Sequence, residues 1–262
     1  MRLKQQRFQN ALKQKQGFKV ISGIANHDME NVLTLVNAVN NSCSDLAGSG
    51  ALALDVAATT DIVKAVRANF DGFLFASGTE LESLTQAVEA GADAVELGNF
   101  DALYAKGYYI SAEEVLTLSQ QIVSALGQKA FISITIPGHL TLDAQVKLAK
   151  NLEALGVDLM QSEGAARMLS ETPQAKTPDA KQKAQIALAN TQALANAVTI
   201  PVMAASGFDA TNVATARAMG ASAVGIGSAV NKLTNLSAME TALQEIAANW
   251  QHQEALVSSQ AG

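Results

Sequence analysis

The sequence predicts an α/β fold, a single (β/α)₈ barrel of the TIM type with a short amino-terminal helix, and three observations predict it. Short apolar runs of strand length alternate with helical patterns along all 262 residues. Three segments repeat one form: EAGADAVELG at 89–98, EALGVDLMQSEG at 153–164 and AMGASAVGIGS at 218–228. In each, a helix end and a glycine lead into a short hydrophobic strand that closes on a small or polar residue. Units of this kind, eight in about 250 residues, fit a closed parallel barrel.

The elements follow in order. Strands are expected at 18–22, 51–55, 73–76, 93–97, 130–135, 157–161, 199–204 and 222–226, and helices near 28–40, 60–69, 80–90, 112–126, 142–155, 180–197, 210–219 and 238–249. Gly91, Gly156 and Gly220 suit the left-handed position that ends a helix. Capping boxes are read at Thr79/Glu82, Ser111/Glu114 and Ser237/Glu240, a hydroxyl followed three positions later by glutamate. Strands that each follow a helix at once must be covered on their outer face, as parallel strands are. An open doubly wound sheet would need a G-x-G-x-x-G loop after its first strand, and ISGIANHD has no such spacing. Residues 1–17 form a basic helix, 18–250 the barrel and 251–262 a polar tail.

Composition narrows the function classes. With 48% hydrophobic residues the chain can bury a large core, yet no apolar run approaches the length that spans a bilayer. Residues 1–19 hold Arg2, Lys4, Arg7, Lys13, Lys15 and Lys19 and no acidic residue, so the rest of a chain of net charge −6 is strongly acidic. That balance argues against nucleic acid as a partner. Leu3, Phe8, Ala11 and Leu12 make only a thin apolar face, which suits a helix closing the bottom of the domain better than one lying on a membrane. The lone Cys43 can form no intrachain disulfide and fits a reducing compartment.

A barrel binds its ligands at the carboxyl ends of its strands. Those ends offer Ser22, Gly23, Asn26, Asp55, Ser77, Glu96, Asn99, Asp101, Thr135, His139, Gln161 and Glu163, then Ser206, Gly207, Gly227 and Ser228. Glu96, within the apolar run AVELG, needs a hydrogen bond, a cation or a ligand to offset its desolvation, and a polar core neighbour would serve as well. Asp55 is a similar case, or else caps the next helix. Glu163 could join either carboxylate in acid–base work or in holding a divalent ion through hard oxygen ligands, and His139 is a further candidate or an exposed loop residue. Glu96, Glu163, Asp55 and His139 are therefore the catalytic candidates. His27, near a helix start, is expected to be neutral. No histidine pair has metal-ligand spacing, so no zinc site is expected.

AASGFD at 204–209 and GIGSAVNK at 225–232 would bring backbone amides together, a frequent phosphate corner in barrels, unless the glycines serve only close packing. Ser206, Gly207, Gly227 and Ser228 are the binding candidates, and a small phosphorylated ligand is the expected partner. No flavin or nicotinamide pocket is specified, and the cofactor is left open. Lys19 and Lys129 are read at strand starts, on the wrong side for a Schiff base, and Lys232 in a loop or short helix. The stretch 98–111, with Phe100, Tyr104, Tyr108 and Tyr109, reads as a lid or as a contact between copies in a homo-oligomer.

VELGNFD, QSEG and GIGSAVN, within the longer runs 19–32, 87–107, 132–164 and 200–233, resemble the Ycf23 family over about residues 10 to 245. The resemblance implies an aldolase-type barrel like those of phosphate-binding synthases, in a cyanobacterial cytoplasm or a plastid stroma, and brings no assigned reaction. One departure is EGAARMLSETPQAKTP, where the family's pattern has a glycine-rich loop after the sixth strand. Two functions are expected to compete. One is a lyase, isomerase or synthase acting on a small phosphorylated metabolite through carboxylates. The other is a catalytically silent barrel acting as a ligand sensor or assembly partner.

Overall fold

The structure is a computed structural model that describes residues 2–98, 100–104, 106–164 and 179–251. Asn99, most of the 162–180 loop and all but the first residue of the 251–262 tail lie outside the described residues, as does the side chain of Asp101. The strands are β1 (Gly17–Ile21), β2 (Leu52–Ala57), β3 (Phe73–Gly78), β4 (Ala94–Leu97), β5 (Phe131–Ile136), β6 (Leu159–Ser162), β7 (Val202–Ala205) and β8 (Ala223–Ile226). They pair in chain order, all parallel, and β8 closes on β1.

Each strand is joined to the next through helix. After α1 (Arg2–Lys13) come α2 (Met29–Ser42), α3 (Ser44–Ser49), α4 (Thr60–Asn69), α5 (Leu81–Glu89), α6 (Asp101–Tyr104) and α7 (Ala112–Leu126). The second half carries α8 (Leu142–Leu155), α9 (Ala180–Ala197), α10 (Val213–Ala218), α11 (Ser228–Asn231) and α12 (Leu236–Gln251). The eight expected strands are all present, each within three residues of its predicted start. The short α3, α6 and α11 were not expected, because four to six residues hold too little period to read.

Gly91, Gly156 and Gly220 do take left-handed backbone, at φ +114°, +89° and +94°. Of the three capping boxes only Ser111/Glu114 forms. The helix after Thr79 starts one residue late, with Glu80 at the cap, so the Thr79 hydroxyl is out of register. In α12 Ser237 is already inside the first turn, and Asn235 Oδ1 accepts from the Ala238 amide at 2.8 Å in its place. A box missed in the sequence joins Asp179 and Gln182 at the start of α9. Because Ser111 caps α7 and also holds Glu114, Ser111→Ala should cost about 1 kcal/mol in urea unfolding. A neutral result would mean that the box does not form in solution.

Two-residue alternation sorts the strands into an outer face packed on helices and an inner face packed on itself. The lower inner layer is apolar: Ala53, Phe73, Phe75, Ala94, Phe131, Leu159, Met203 and Ala223, with Phe8 and Leu12 of α1 inserted from below. The amino-terminal helix thus closes the bottom of the barrel with Phe8, Ala11 and Leu12 buried, while Leu3, the other residue of its apolar face, is exposed. Cys43 is buried in the outer core, where desolvation pushes its thiol up to about 12 and leaves it protonated at neutral pH.

Candidate functional site

One step above the apolar layer, the same alternation places Asp55, Ser77, Glu96, Ser133 and Gln161 on the inner face, with Lys19 beside Gly225 in the β1–β8 register. All six are buried. Lys19 Nζ donates to Glu96 Oε2 at 2.7 Å and lies 3.4 Å from Asp55 Oδ2. Ser133 Oγ donates to Glu96 Oε2 at 2.9 Å, Thr135 Oγ1 and Gln161 Nε2 donate to Glu96 Oε1 at 3.2 and 3.0 Å, and Ser77 Oγ donates to Asp55 Oδ1 at 2.6 Å. Charges with no contact to water persist at this depth only because each is paired and hydrogen-bonded.

Electrostatics bind the group together. Burial by itself would lower the Lys19 ammonium, but Glu96 and Asp55 outweigh it and hold that group above its ordinary value. Burial pushes the Asp55 carboxyl up to about 6, against the pull of Lys19 and with a push from Glu96. Lys19 is therefore the partner that the Glu96 carboxylate requires. Placing Lys19 on the wrong side of the barrel was an error: it is the third residue of a five-residue strand, and its long side chain reaches inward to the polar layer. Lys19 itself is unsuited to a Schiff base for another reason, since an ammonium held charged between two carboxylates is no nucleophile. Nor does Asp55 cap the next helix; its side chain is used inside the barrel.

Above this layer, at the carboxyl ends of the strands, opens a cavity of about 580 Å³. Thr135, Gln161, Ile21, Ala205 and Gly225 border it near the polar layer, and Glu163 borders it with Asp179, Ala180 and Lys183 of the α9 start. Ser206, Gly207, Gly227, Ser228 and Lys232 complete the wall. Gly207 sits at φ +77°, and a Cβ there would fall 2.1 Å from the Ala180 carbonyl oxygen, so only glycine lets α9 approach this closely. Ser206, at φ +91°, is a non-glycine residue in left-handed backbone, a conformation that clusters at ligand sites.

The four sequence-selected catalytic candidates separate by depth. Glu163 borders the cavity together with all four binding candidates. Glu96 lies just beneath, reached through Gln161 and Thr135, and Asp55 is one contact further through Lys19. His139 does not border the cavity and is half-buried behind Glu163: its Nδ1 lies 3.3 Å from the Tyr104 hydroxyl, which donates to Glu163 Oε2 at 2.9 Å. The Gly138 amide donates to the same carboxylate oxygen at 3.2 Å. Burial lowers the His139 pKa. Tyr104 also stacks on Tyr109 at 5.4 Å, and both rings meet His139 edge-on, so part of the tyrosine stretch is packed beside Glu163. Tyr108 is exposed and bonds Glu114. His27 is exposed on the surface, away from this cluster.

Sequence reading missed Gln161 as the link between levels, and missed Lys183 and Lys232 as residues of one wall. The first was only a strand-end residue in a hydrophobic run. The other two lie about 50 residues apart and border one cavity only because the start of α9 and the end of β8 both reach it.

Comparison with known proteins returns the same fold and one family. The profile of the family described as "Protein of unknown function (DUF561)" matches residues 3–256. "Uncharacterized protein ycf23" of Cyanophora paradoxa is 35% identical over 238 residues, covering 90% of this chain and 93% of the relative. The protein of that name from Cyanidium caldarium is 34% identical over 213 residues, covering 81% and 82%. Among solved structures, 3-hexulose-6-phosphate synthase from Salmonella typhimurium superposes with a TM-score of 0.61 at 13% identity, over 89% of this chain and 98% of that one. Thiamine phosphate pyrophosphorylase from Pyrococcus furiosus does so at 0.58 and 17%, over 92% and 98%. At these identities the structural likeness establishes the closed eight-stranded (β/α)₈ barrel fold and nothing narrower.

Proposed function

The chain belongs to the DUF561 family and to that of the ycf23 proteins, and for it we propose a lyase, isomerase or synthase acting on a small phosphorylated metabolite by carboxylate acid–base chemistry. One observation carries the reading: a single cavity at the strand ends is bordered by Glu163 and Gln161 and also by Ser206, Gly207, Gly227, Ser228, Lys183 and Lys232. Among the described residues neither lysine is taken up by an ion pair. Two cations and two glycine-containing turns suit a phosphoryl group. Glu163 is the acid–base group of the wall, positioned by Tyr104 and the Gly138 amide, and His139 acts on it through Tyr104. Glu96 and Asp55, with Lys19, form the charged bed on which the floor residues are oriented.

The fold neighbours named for hexulose phosphate and thiamine phosphate lend this reading an analogy of scaffold. A silent assembly barrel with a filled mouth would lack the cavity of about 580 Å³, whereas a ligand sensor would share it and differ from the enzyme only in having no turnover. Tyr108 remains an exposed aromatic through which copies could associate. The algal relatives favour a plastid stroma over a general cytoplasmic setting, and no helix among the described residues is long and apolar enough to cross a membrane.

Binding of inorganic phosphate and of D-ribose 5-phosphate, measured by thermal unfolding and calorimetric titration, tests the reading. Saturation to a hundred times Kd should stabilise the chain by about 2.7 kcal/mol. Lys232→Met should weaken both ligands about tenfold or more while leaving the unliganded Tm nearly unchanged, since the residue is exposed. Absence of binding, or binding indifferent to both Lys232→Met and Lys183→Met, would overturn it.

A further inference from the structure

Among the described residues that border the cavity, Gln161 carries a buried side-chain atom with no hydrogen-bond partner. Its side chain is only 3% exposed, yet the residue borders the cavity. Both of its amide hydrogens are committed: Nε2 lies 3.0 Å from Glu96 Oε1 and 3.2 Å from Thr135 Oγ1. Its carbonyl oxygen Oε1 has no hydrogen-bond partner. The amide cannot be turned round to repair this. A flipped Gln161 would set Oε1 against Glu96, whose carboxylate, paired with Lys19, is an acceptor only. Nor does β8, two strands away, offer a side-chain donor at Gly225. Gly225 has no side chain there, and even a Cβ at that position would lie 3.5 Å from Oε1.

A buried carbonyl left without a donor costs free energy that a bound donor recovers. On the reading of the cavity given above, we propose that Gln161 is a specificity-determining residue: its Oε1 accepts a hydrogen bond from a hydroxyl on the carbon skeleton of the phosphorylated ligand. The Lys19–Glu96 pair orients Gln161 without touching the ligand. The substrate class is thereby narrowed to hydroxylated phosphate esters. A ligand that brings a carboxylate or a bare hydrocarbon to the floor is disfavoured, the first by acceptor–acceptor repulsion and the second by leaving Oε1 unpaired.

The test compares D-ribose 5-phosphate with n-pentyl phosphate, an ester of equal carbon count without hydroxyls, in calorimetric titrations of the full chain. Inorganic phosphate serves as the reference. The hydroxylated ester should bind at least about tenfold more tightly than the alkyl ester in the wild type. Gln161→Met keeps the side-chain length and removes the acceptor, so this ratio should fall toward one with inorganic phosphate binding unchanged. A wild-type ratio near one overturns the proposal whether or not the variant folds, and so does a ratio that survives Gln161→Met. In both of those cases phosphate still binds, so the phosphate reading stands. Failure of inorganic phosphate and of both esters to bind the wild type would overturn the phosphate reading and this inference together.

Discussion

Replacing Lys19 by methionine is expected to destabilise the chain by about 3–5 kcal/mol at neutral pH, the cost of leaving a buried ion cluster without its counter-charge. Lys19, Glu96 and Asp55 are 0%, 0% and 1% exposed, so no solvent replaces the lost ammonium. Methionine matches the length of the stem, which separates the loss of charge from the loss of packing. The deficit should shrink as pH falls, because two carboxylates confined together without a cation take up protons more readily. Glu96→Gln added to Lys19→Met should recover part of the loss, since it removes one of the two stranded charges. Urea unfolding at pH 5 and pH 7.5 would measure both effects. A loss below about 1 kcal/mol, independent of pH, would mean that the cluster is not closed in solution.

The wild-type protein has a pH dependence of its own from the same group. The folded-state pKa of Asp55 is raised from 3.8 to about 6, so the folded chain holds this proton more tightly than the unfolded chain does. Its contribution to stability is complete below the ordinary aspartate range, declines as pH rises toward about 6, and is flat above. Asp55→Asn should flatten that slope.

Phe8→Ala is the second large effect, an expected loss of about 3–5 kcal/mol. Phe8 is fully buried, stacked on Phe73 at 4.8 Å between ring centroids and edge-on to Phe75 and Phe131 at 5.7 and 6.1 Å. Its removal would open a cavity bounded by strands on all sides, with little freedom to collapse. The loss should appear in the denaturant midpoint with little change in slope. A loss under about 1.5 kcal/mol would show that α1 does not plug the barrel. Because the apolar layer separates α1 from the mouth, phosphate affinity at a temperature where the variant is folded should be unaffected.

The strand and helix order was legible in the residues because both periods are local. Apolar runs bounded by Gly91, Gly156 and Gly220 mark strand starts, and the closed order of eight strands follows from counting such units. The mouth was partly legible too. Glu163, Ser206, Gly207, Gly227 and Ser228 share one cavity because a parallel barrel delivers every strand end to the same face. Depth was not legible. Glu96 and Glu163 look alike as strand-end carboxylates, yet one lies beneath the floor and the other in the wall. Lys19 looks like a strand-start lysine on the closed side, yet its stem carries the charge to carboxylates 36 and 77 residues away. Phe8 read as part of a thin amphipathic stripe and is the centre of an aromatic cluster. The chain's local pattern dictates which face of a strand each residue occupies. How far along the barrel axis a long side chain reaches, and which charge it meets there, depends on strand stagger and on neighbours remote in sequence, which only the closed barrel brings together.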